Sequence, residues 1–293
     1  LSIYEATLYI YYFNSKMNSS SKKHFCLVPF LHLHIDSFGF AKACCVSAIK
    51  YGNIKKTSVD EIWSGEEINK LRQKFLNNEK DSRCENCYAK EASGAASLRT
   101  ETLEKYQHLI PQATQTPSPQ YFDIRFSNIC NLKCRTCWHG NSSKWYEDAQ
   151  KLKRNIGNKS LLKAFNNNDE VRETLEPYFK DAVEFYFAGG EPLMMEEQII
   201  CLDELINQKN SKCLIRYNTN LSTLHQLNTD LLEKWSFFDQ IELLISIDGL
   251  GEKGKMIRSG LDLENFNKNL RIIKSQKNIS FQNLEYLIKR LSV

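Results

Sequence analysis

The stretch CNLKCRTCW, residues 130–138, places three cysteines, Cys130, Cys134 and Cys137, at a CxxxCxxC spacing. Thiolates are soft ligands that bind zinc or iron–sulfur clusters, and a loop this tight lets three sulfurs converge on one cluster face. No fourth cysteine lies nearby in the sequence. A metal site with an open coordination position is what a catalytic centre needs and a structural one avoids. The stretch therefore predicts an open, reactive metal centre.

The sequence around this loop predicts strands that alternate with helices, one helix starting at about Thr223. Repeated strand–helix units favour a parallel sheet with helices outside it, and active sites form at the C-terminal ends of such strands. Each clear strand ends in an unusual loop: the cysteine loop, GGEP, NTN and SIDG in turn. These strands are predicted at 121–127, 183–188, 213–219 and 241–247, and a further start is indicated near Ile279.

CxxxCxxC after the first strand, with GGEP after the second, resembles the radical S-adenosylmethionine (SAM) superfamily over roughly residues 120–277. The resemblance implies an α/β fold, a partial (βα) TIM-like barrel. It also implies a [4Fe–4S] cluster on Cys130, Cys134 and Cys137, with the amino and carboxylate groups of SAM on the open iron. One electron then cleaves SAM and yields a 5′-deoxyadenosyl radical that abstracts a substrate hydrogen. An external donor such as a flavodoxin or ferredoxin is expected to supply that electron.

The same resemblance implies further contacts with SAM. Glycines allow a close backbone approach, and Glu191 or the adjacent carbonyls can accept hydrogen bonds from the SAM ammonium. Arg258 suits the carboxylate because a guanidinium binds it bidentately. An alternative role, the capping of a strand end, applies to five of the expected contact residues: Asn218, Asn220, Ser246, Asp248 and Arg258. The expected contact residues are Gly189, Gly190, Glu191, Pro192, Asn218, Asn220, Ser246, Asp248 and Arg258.

One position departs from the superfamily pattern. The residue before the third cysteine is usually aromatic there and packs near the adenine, whereas this chain has Thr136. Trp138, on the other side of Cys137, is the expected replacement.

A second set of cysteines lies nearer the N-terminus. A predicted hairpin brings Cys26 and Cys44 together, and a CxxC pair adds Cys84 and Cys87. Four protein thiolates make a closed site, which either a [4Fe–4S] cluster or zinc accepts. The long gap between the hairpin and the CxxC pair favours the cluster over a zinc ribbon. Cys45 is expected to point to the opposite face of the strand from Cys44.

The spacing of this set, with Gly39 in the hairpin, resembles the auxiliary-cluster modules called SPASM and twitch. The single-cluster twitch type fits better, and here the module precedes the core that it usually follows. His32 and His34 alternate with apolar residues and are expected on the solvent face. Cys201 and Cys213 are expected to be buried small apolar residues.

The chain divides into four predicted segments. Residues 1–16 are a non-native or disordered leader, since Met17 starts a polar stretch, and 17–110 form a small cysteine-rich α+β module. Residues 111–120, with three prolines, form a linker. Residues 121–293 form the radical SAM core, which is expected to be truncated at its C-terminal end because fewer strands are predicted than the family has.

Composition sets the remaining expectations. The 293 residues are 42% hydrophobic with a net charge of +4, and no block of lysine and arginine stands out, so nucleic-acid binding is not expected. The chain shows no signal peptide or membrane span, and ten cysteines in clusters suit metal sites in a reducing cytoplasm. The favoured substrate is a peptide or protein. The alternatives are a carbohydrate-type small-molecule radical SAM dehydrogenase and a non-catalytic zinc or iron–sulfur protein.

Overall fold

The computed structural model describes residues 23–249 and 251–282. The predicted leader at 1–16 lies outside the described residues. The end of the chain beyond residue 282 also lies outside them, so the predicted truncation of the core is not tested.

One large sheet organises the described part of the chain. Its eight strands follow the order β12-β10-β7-β6-β4-β1-β2-β3, and the first six are parallel. The other strands form two-stranded ribbons, β5 with β11 and β8 with β9. The strands are β1 (His32–Ile35), β2 (Phe40–Lys42), β3 (Lys50–Asn53), β4 (Tyr121–Ile124), β5 (Lys133–Cys134), β6 (Glu184–Phe187), β7 (Leu214–Thr219), β8 (His225–Gln226), β9 (Thr229–Asp230), β10 (Ile241–Ile245), β11 (Arg258–Ser259) and β12 (Ile279–Gln282).

Helices connect the parallel strands and cover one face of the sheet. Alternate strand residues such as Phe122 and Phe185 join a buried cluster with Val171 and Leu202 from the helices. The helices are α1 (Val28–Leu31), α2 (Val59–Trp63), α3 (Glu66–Leu76), α4 (Glu85–Ala92), α5 (Leu98–Tyr106), α6 (Ile110–Gln115), α7 (Tyr146–Lys151), α8 (Asn168–Leu175), α9 (Glu196–Asn207), α10 (Leu231–Trp235), α11 (Gly251–Ile257) and α12 (Leu263–Lys274).

The mixed α/β class with a mostly parallel sheet agrees with the prediction. The four predicted strands are present, and β12 forms at the fifth indicated position. A TIM-like barrel is not seen, because the sheet of the described residues runs open from β12 at one edge to β3 at the other.

The N-terminal module shares this sheet. Strand β1 pairs in parallel with β4, with His32 opposite Tyr121 and Ile35 opposite Ile124. The predicted linker is helical in its first half, as α6 buries Ala113. Its last residue, Gln120, donates its N–H to the Leu31 carbonyl at 2.8 Å. The division of the chain into domains stays a prediction, but the two parts form one continuous sheet.

The helix predicted from Thr223 begins later. The Thr223 hydroxyl accepts the His225 N–H at 3.0 Å, which closes a local turn and leads into the β8–β9 hairpin. Helix α10 starts only after Asp230, whose carboxylate caps the Leu232 N–H at 2.9 Å.

Candidate functional site

The three-cysteine loop follows β4 and is fixed on both sides. Cys134 lies in the β5–β11 ribbon directly opposite Arg258. The Trp145 indole donates to the Cys134 carbonyl at 2.9 Å, and the Ser142 hydroxyl donates to the Leu132 carbonyl at 2.7 Å. Because these bonds hold the backbone, the three thiols are presented from a defined loop.

The thiols of this loop lie in a partly buried setting. Cys134 is buried, and Cys130 and Cys137 are half-buried. Burial raises the pKa of Cys130 to about 11 and also raises those of Cys134 and Cys137. The Arg258 guanidinium, with Nη1 3.7 Å from the Cys134 sulfur, opposes that rise for Cys134. A cationic centre bound by the loop would favour the thiolates in the same direction.

The two glycines of GGEP pack against the backbone that leads into the cysteine loop. Gly189 has φ of +116°, and a Cβ added at Gly190 would lie 1.9 Å from the Ile129 carbonyl oxygen. The Gly190 N–H donates to the Ser127 carbonyl at 3.2 Å. The glycines thus allow a close approach of their backbone to residues 127–129 of the same chain, immediately before Cys130.

Glu191 joins two of the loops that follow the C-terminal ends of the parallel strands. We call this edge of the sheet the rim. Its buried carboxylate accepts from the Thr219 hydroxyl at 2.6 Å and from the backbone N–H groups of Asn220 at 2.7 Å and Leu193 at 3.1 Å. Burial raises the pKa of Glu191 to about 7, and these bonds oppose the rise. The next residue, Pro192, is buried at the start of a short turn. Because three protein donors already occupy the carboxylate, backbone carbonyls are the better acceptors for a ligand ammonium.

The loops after β7 and β10 bring further predicted residues to this rim. The Asn220 amide donates to the Asn131 side chain at 2.9 Å and lies 4.0 Å from the Cys130 sulfur. The Ser246 hydroxyl donates to the Asn218 side chain at 2.8 Å.

At the Cys134 end of the loop, Arg258 has two neighbours. Its Nε lies 2.8 Å from a carboxylate oxygen of Asp248, while its Nη1 faces the Cys134 sulfur. Asn220 and Glu191 thus gather beside Cys130, and Arg258 and Asp248 gather beside Cys134.

Trp138 is half exposed and folds back over its own loop. Its ring lies edge-on to His139, with ring centroids 4.8 Å apart, and a Cβ on Gly140 would come within 2.4 Å of the indole. Thr136 is exposed. A contact between Trp138 and an adenine stays a prediction.

The second cysteine set surrounds a cavity in the N-terminal module. Cys26, Cys44, Cys84 and Cys87 all line it, together with apolar residues of α3. Burial raises the pKa of Cys44 to about 12 and that of Cys84 to about 11, and the neighbouring thiols add to both shifts. Cys45 instead lies near the Asp123 carboxylate, which helps burial raise the pKa of the Cys45 thiol to about 11. Cys44 and Cys45 therefore face different surroundings.

Both donor sets consist of thiols, which iron–sulfur clusters and zinc both accept. Within residues 23–249 and 251–282, no three His, Cys, Asp or Glu side chains are drawn together as a single metal ion requires. A zinc ion would hold each thiolate sulfur at about 2.3 Å, whereas a cube of iron and sulfur spreads its thiolates over separate corners. Four thiols around one cavity and three on one loop provide the ligand types that such clusters take.

A family model matches the N-terminal module. Residues 26–88 match SPASM, an iron–sulfur cluster-binding domain. The match spans all four predicted auxiliary ligands and supports iron–sulfur binding by this module, placed ahead of the three-cysteine loop. SPASM domains occur in radical SAM enzymes. A search of curated proteins finds no match to the chain. Within the described residues, no helix has the length and apolar character needed to cross a membrane.

A row of polar residues, which sequence patterns did not predict, crosses the sheet face opposite the helices. Its members face one another on neighbouring strands: a carboxylate oxygen of Asp123 lies 3.1 Å from His34, and one of Glu242 lies 2.7 Å from Arg216. Arg216 and Arg125 both lie against the Tyr186 ring. We call this row the polar row; in strand order it consists of His34, Asp123, Tyr186, Arg216 and Glu242.

The predicted solvent exposure of His32 and His34 was therefore wrong. Both are buried, because β1 lies inside the sheet and the module covers its polar face. His32 packs edge-on against Tyr121, with ring centroids 4.4 Å apart. The burial predicted for Cys201 and Cys213 is confirmed. A single charged residue inside an apolar strand, such as Asp123 in YFDI, was the signal that could have revealed the polar row.

Proposed function

We propose that this chain is a radical SAM enzyme with one auxiliary iron–sulfur cluster. The observation that carries the proposal is the assembly around the three-cysteine loop: Asn220 reaches the Cys130 sulfur, and Arg258 reaches the Cys134 sulfur, from loops far along the chain. The three thiols of this loop would bind three irons of a four-iron cluster and would leave the fourth iron without a cysteine ligand. The SPASM match supports the same class, because that domain occurs in radical SAM enzymes.

The proposal gives specific roles to the cysteines, to Arg258 and to the backbone beside Gly190. When bound, the cluster and SAM supply a 5′-deoxyadenosyl radical that abstracts a substrate hydrogen. Cys130, Cys134 and Cys137 hold the cluster, and Arg258 binds the SAM carboxylate by exchanging its Asp248 partner. The carbonyls beside Gly190 accept from the SAM ammonium, since protein donors already occupy Glu191.

In the second site, Cys26, Cys44, Cys84 and Cys87 hold the auxiliary [4Fe–4S] cluster, with zinc as the alternative. Their shared cavity and the family match support this ligand set. Because all four ligands come from the protein, this cluster would be closed to SAM.

The proposed substrate is a peptide or protein, and a carbohydrate-type small molecule is the alternative. The polar row lies on the same sheet face as Asn218, which is two residues beyond Arg216 on β7. Tyr186 and Arg216, which are partly exposed, give this face an aromatic ring and a cation, and these groups suit a polar substrate of either kind. The cytoplasm remains the predicted compartment.

Anaerobic reconstitution tests the proposal. The chain should take up about eight irons, the expected content of two four-iron clusters, and should release 5′-deoxyadenosine from SAM when dithionite is added. Cys134→Ala should lose about half of the iron and all SAM cleavage, whereas Cys201→Ala, a buried thiol outside both sites, should keep both. Stoichiometric zinc, or full iron content without SAM cleavage, would refute the enzyme class.

A further inference from the structure

The segment that begins within the cysteine loop and follows it has a large excess of positive over negative side chains. Residues 133–163, which we call the basic segment, contain eight lysine or arginine residues and two acidic ones. Their net charge of +6 exceeds the +4 of the whole chain, so the remaining residues are acidic in sum. Such a concentration of charge creates a local positive field.

Packing holds the basic segment beside the cysteines. Trp145 donates to the Cys134 carbonyl, and the Lys133 ammonium lies 5.3 Å from the centre of the Trp145 ring while it pairs with Asp148. Further along, the Asn128 side chain donates to the His139 carbonyl at 2.7 Å and to the Ser160 carbonyl at 3.0 Å. The early and the late part of the basic segment are thus both held beside the cysteine loop.

Several cations of this segment have no acidic partner. Lys144, Lys151, Lys153 and Arg154 are exposed, and none of them forms an ion pair with any residue in the described part of the chain. Leu152, between these cations, has 64% of its surface exposed. Exposed cations without acidic partners leave this surface free to meet a negatively charged partner.

We infer that the basic segment docks a small acidic electron-transfer protein of the flavodoxin or ferredoxin type. The inference rests on the proposed function, because reductive cleavage of SAM consumes one electron that must reach the cluster on Cys130, Cys134 and Cys137. The reduced donor loses one electron and the cluster gains it, and no bond is formed between the two proteins. Complementary charge places the donor against the loop that holds this cluster and accelerates the encounter.

Charge reversal separates donor docking from catalysis. The triple variant Lys151→Glu, Lys153→Glu, Arg154→Glu is reconstituted, and 5′-deoxyadenosine release is measured with reduced flavodoxin and, separately, with dithionite. With flavodoxin we expect the apparent KM for the donor to rise at least about tenfold and the salt dependence of the wild-type rate to be lost. With dithionite the variant should match the wild type.

The matched control reverses three exposed cations of α12 with the same change in net charge: Lys268→Glu, Arg271→Glu, Lys274→Glu. Its KM for flavodoxin should stay within about twofold of the wild type. An equal rise in both variants would overturn the docking inference. So would an unchanged KM in the first variant together with lost binding of a single-stranded RNA oligonucleotide, which would assign the surface to nucleic acid. Failure of dithionite-driven cleavage in the wild type would instead refute the proposed function.

Discussion

The three-cysteine loop and the four-cysteine cavity are built from different parts of the chain. Loops after β4, β6, β7 and β10 supply the surroundings of the first, and polar contacts such as that between Glu191 and Thr219 join them. The second lies against an apolar cluster of its own module, in which Phe25 and Phe75 are buried. A site assembled from distant loops depends on the whole sheet, whereas the cavity depends on local packing. Perturbations of the two should therefore have separable effects.

The largest expected difference is in iron content. Cys44→Ala should lower the iron of the reconstituted protein by about four per chain, because Cys44 lines the auxiliary cavity. Cys45→Ala, the adjacent control, should retain all the iron, because Cys45 does not line that cavity and lies near Asp123 instead. Iron analysis and absorption spectra compare the two proteins. If only the Cys45 variant lost iron, Cys45 and not Cys44 would be the ligand of the auxiliary site.

A second prediction concerns the packing that supports the loop at the rim. Gly190→Ala places a methyl group against the Ile129 carbonyl and should lower the free energy of unfolding by about 3 kcal/mol. Because this backbone leads into Cys130, iron at the three-cysteine loop should fall while iron in the module remains.

The control for that variant is Gly94→Ala, where an added Cβ meets nothing within 4 Å. Its positive φ should cost only about 1 kcal/mol. Urea denaturation measures both stabilities, and equal losses would contradict the role given to the Gly190 contact.

The boundary between the two regions should respond to acid through His32. Burial lowers the pKa of His32 to about 4, although the facing Asp123 carboxylate opposes this shift; His34 and Glu184 also face it. Below about pH 6.5 His32 binds a proton in the unfolded chain but stays neutral in the folded chain. The free energy of unfolding therefore falls as the pH drops toward 4. We expect this group to account for a loss of about 2–3 kcal/mol across that window.

Denaturant titrations at several pH values check the effect. His32→Gln should flatten the pH dependence between about 6.5 and 4, whereas the exposed His225→Gln should leave it unchanged. Asp123, whose pKa is held low by Arg125 and the histidines, loses its contribution only at lower pH. An identical slope in His32→Gln and the wild type would show that His32 is not the responsible group.

The smallest expected effect comes from Glu191→Gln. The new amide keeps one acceptor for Thr219 but sets a donor against the Asn220 N–H, which should cost about 1–2 kcal/mol of stability. The exposed Glu196→Gln serves as its control. SAM cleavage should persist in reduced amount, because the proposed function gives Glu191 the role of positioning the loops and assigns the ammonium to a backbone carbonyl. Complete loss of cleavage in a stably folded Glu191→Gln protein would instead support direct contact with SAM.

The sequence was sufficient to predict the strands and their rim because apolar runs and their terminal loops are local patterns. The addition of β1 to the edge of β4 could not be read in the same way, since a pairing of His32 with Tyr121 depends on tertiary packing. The same pairing buries the two histidines that alternation placed in solvent.

At the site, the loops at the ends of successive strands predicted that their residues would gather at one edge of the sheet, whereas what those residues bind stays a prediction. The role of Glu191 was uncertain because its three donors come from two separate loops. The charge of residues 133–163 was missed because it is dispersed along the segment, with no long block of lysine and arginine.

The parallel pairing of β1 with β4 also has a consequence for synthesis of the chain. The module leaves the ribosome first, yet β1 cannot complete its backbone hydrogen bonds until Tyr121–Ile124 has followed. During that interval β1 presents an unpaired strand edge, which is a site for aggregation or mispairing. Insertion of the proposed auxiliary cluster before β4 emerges would therefore act on a module whose sheet is incomplete.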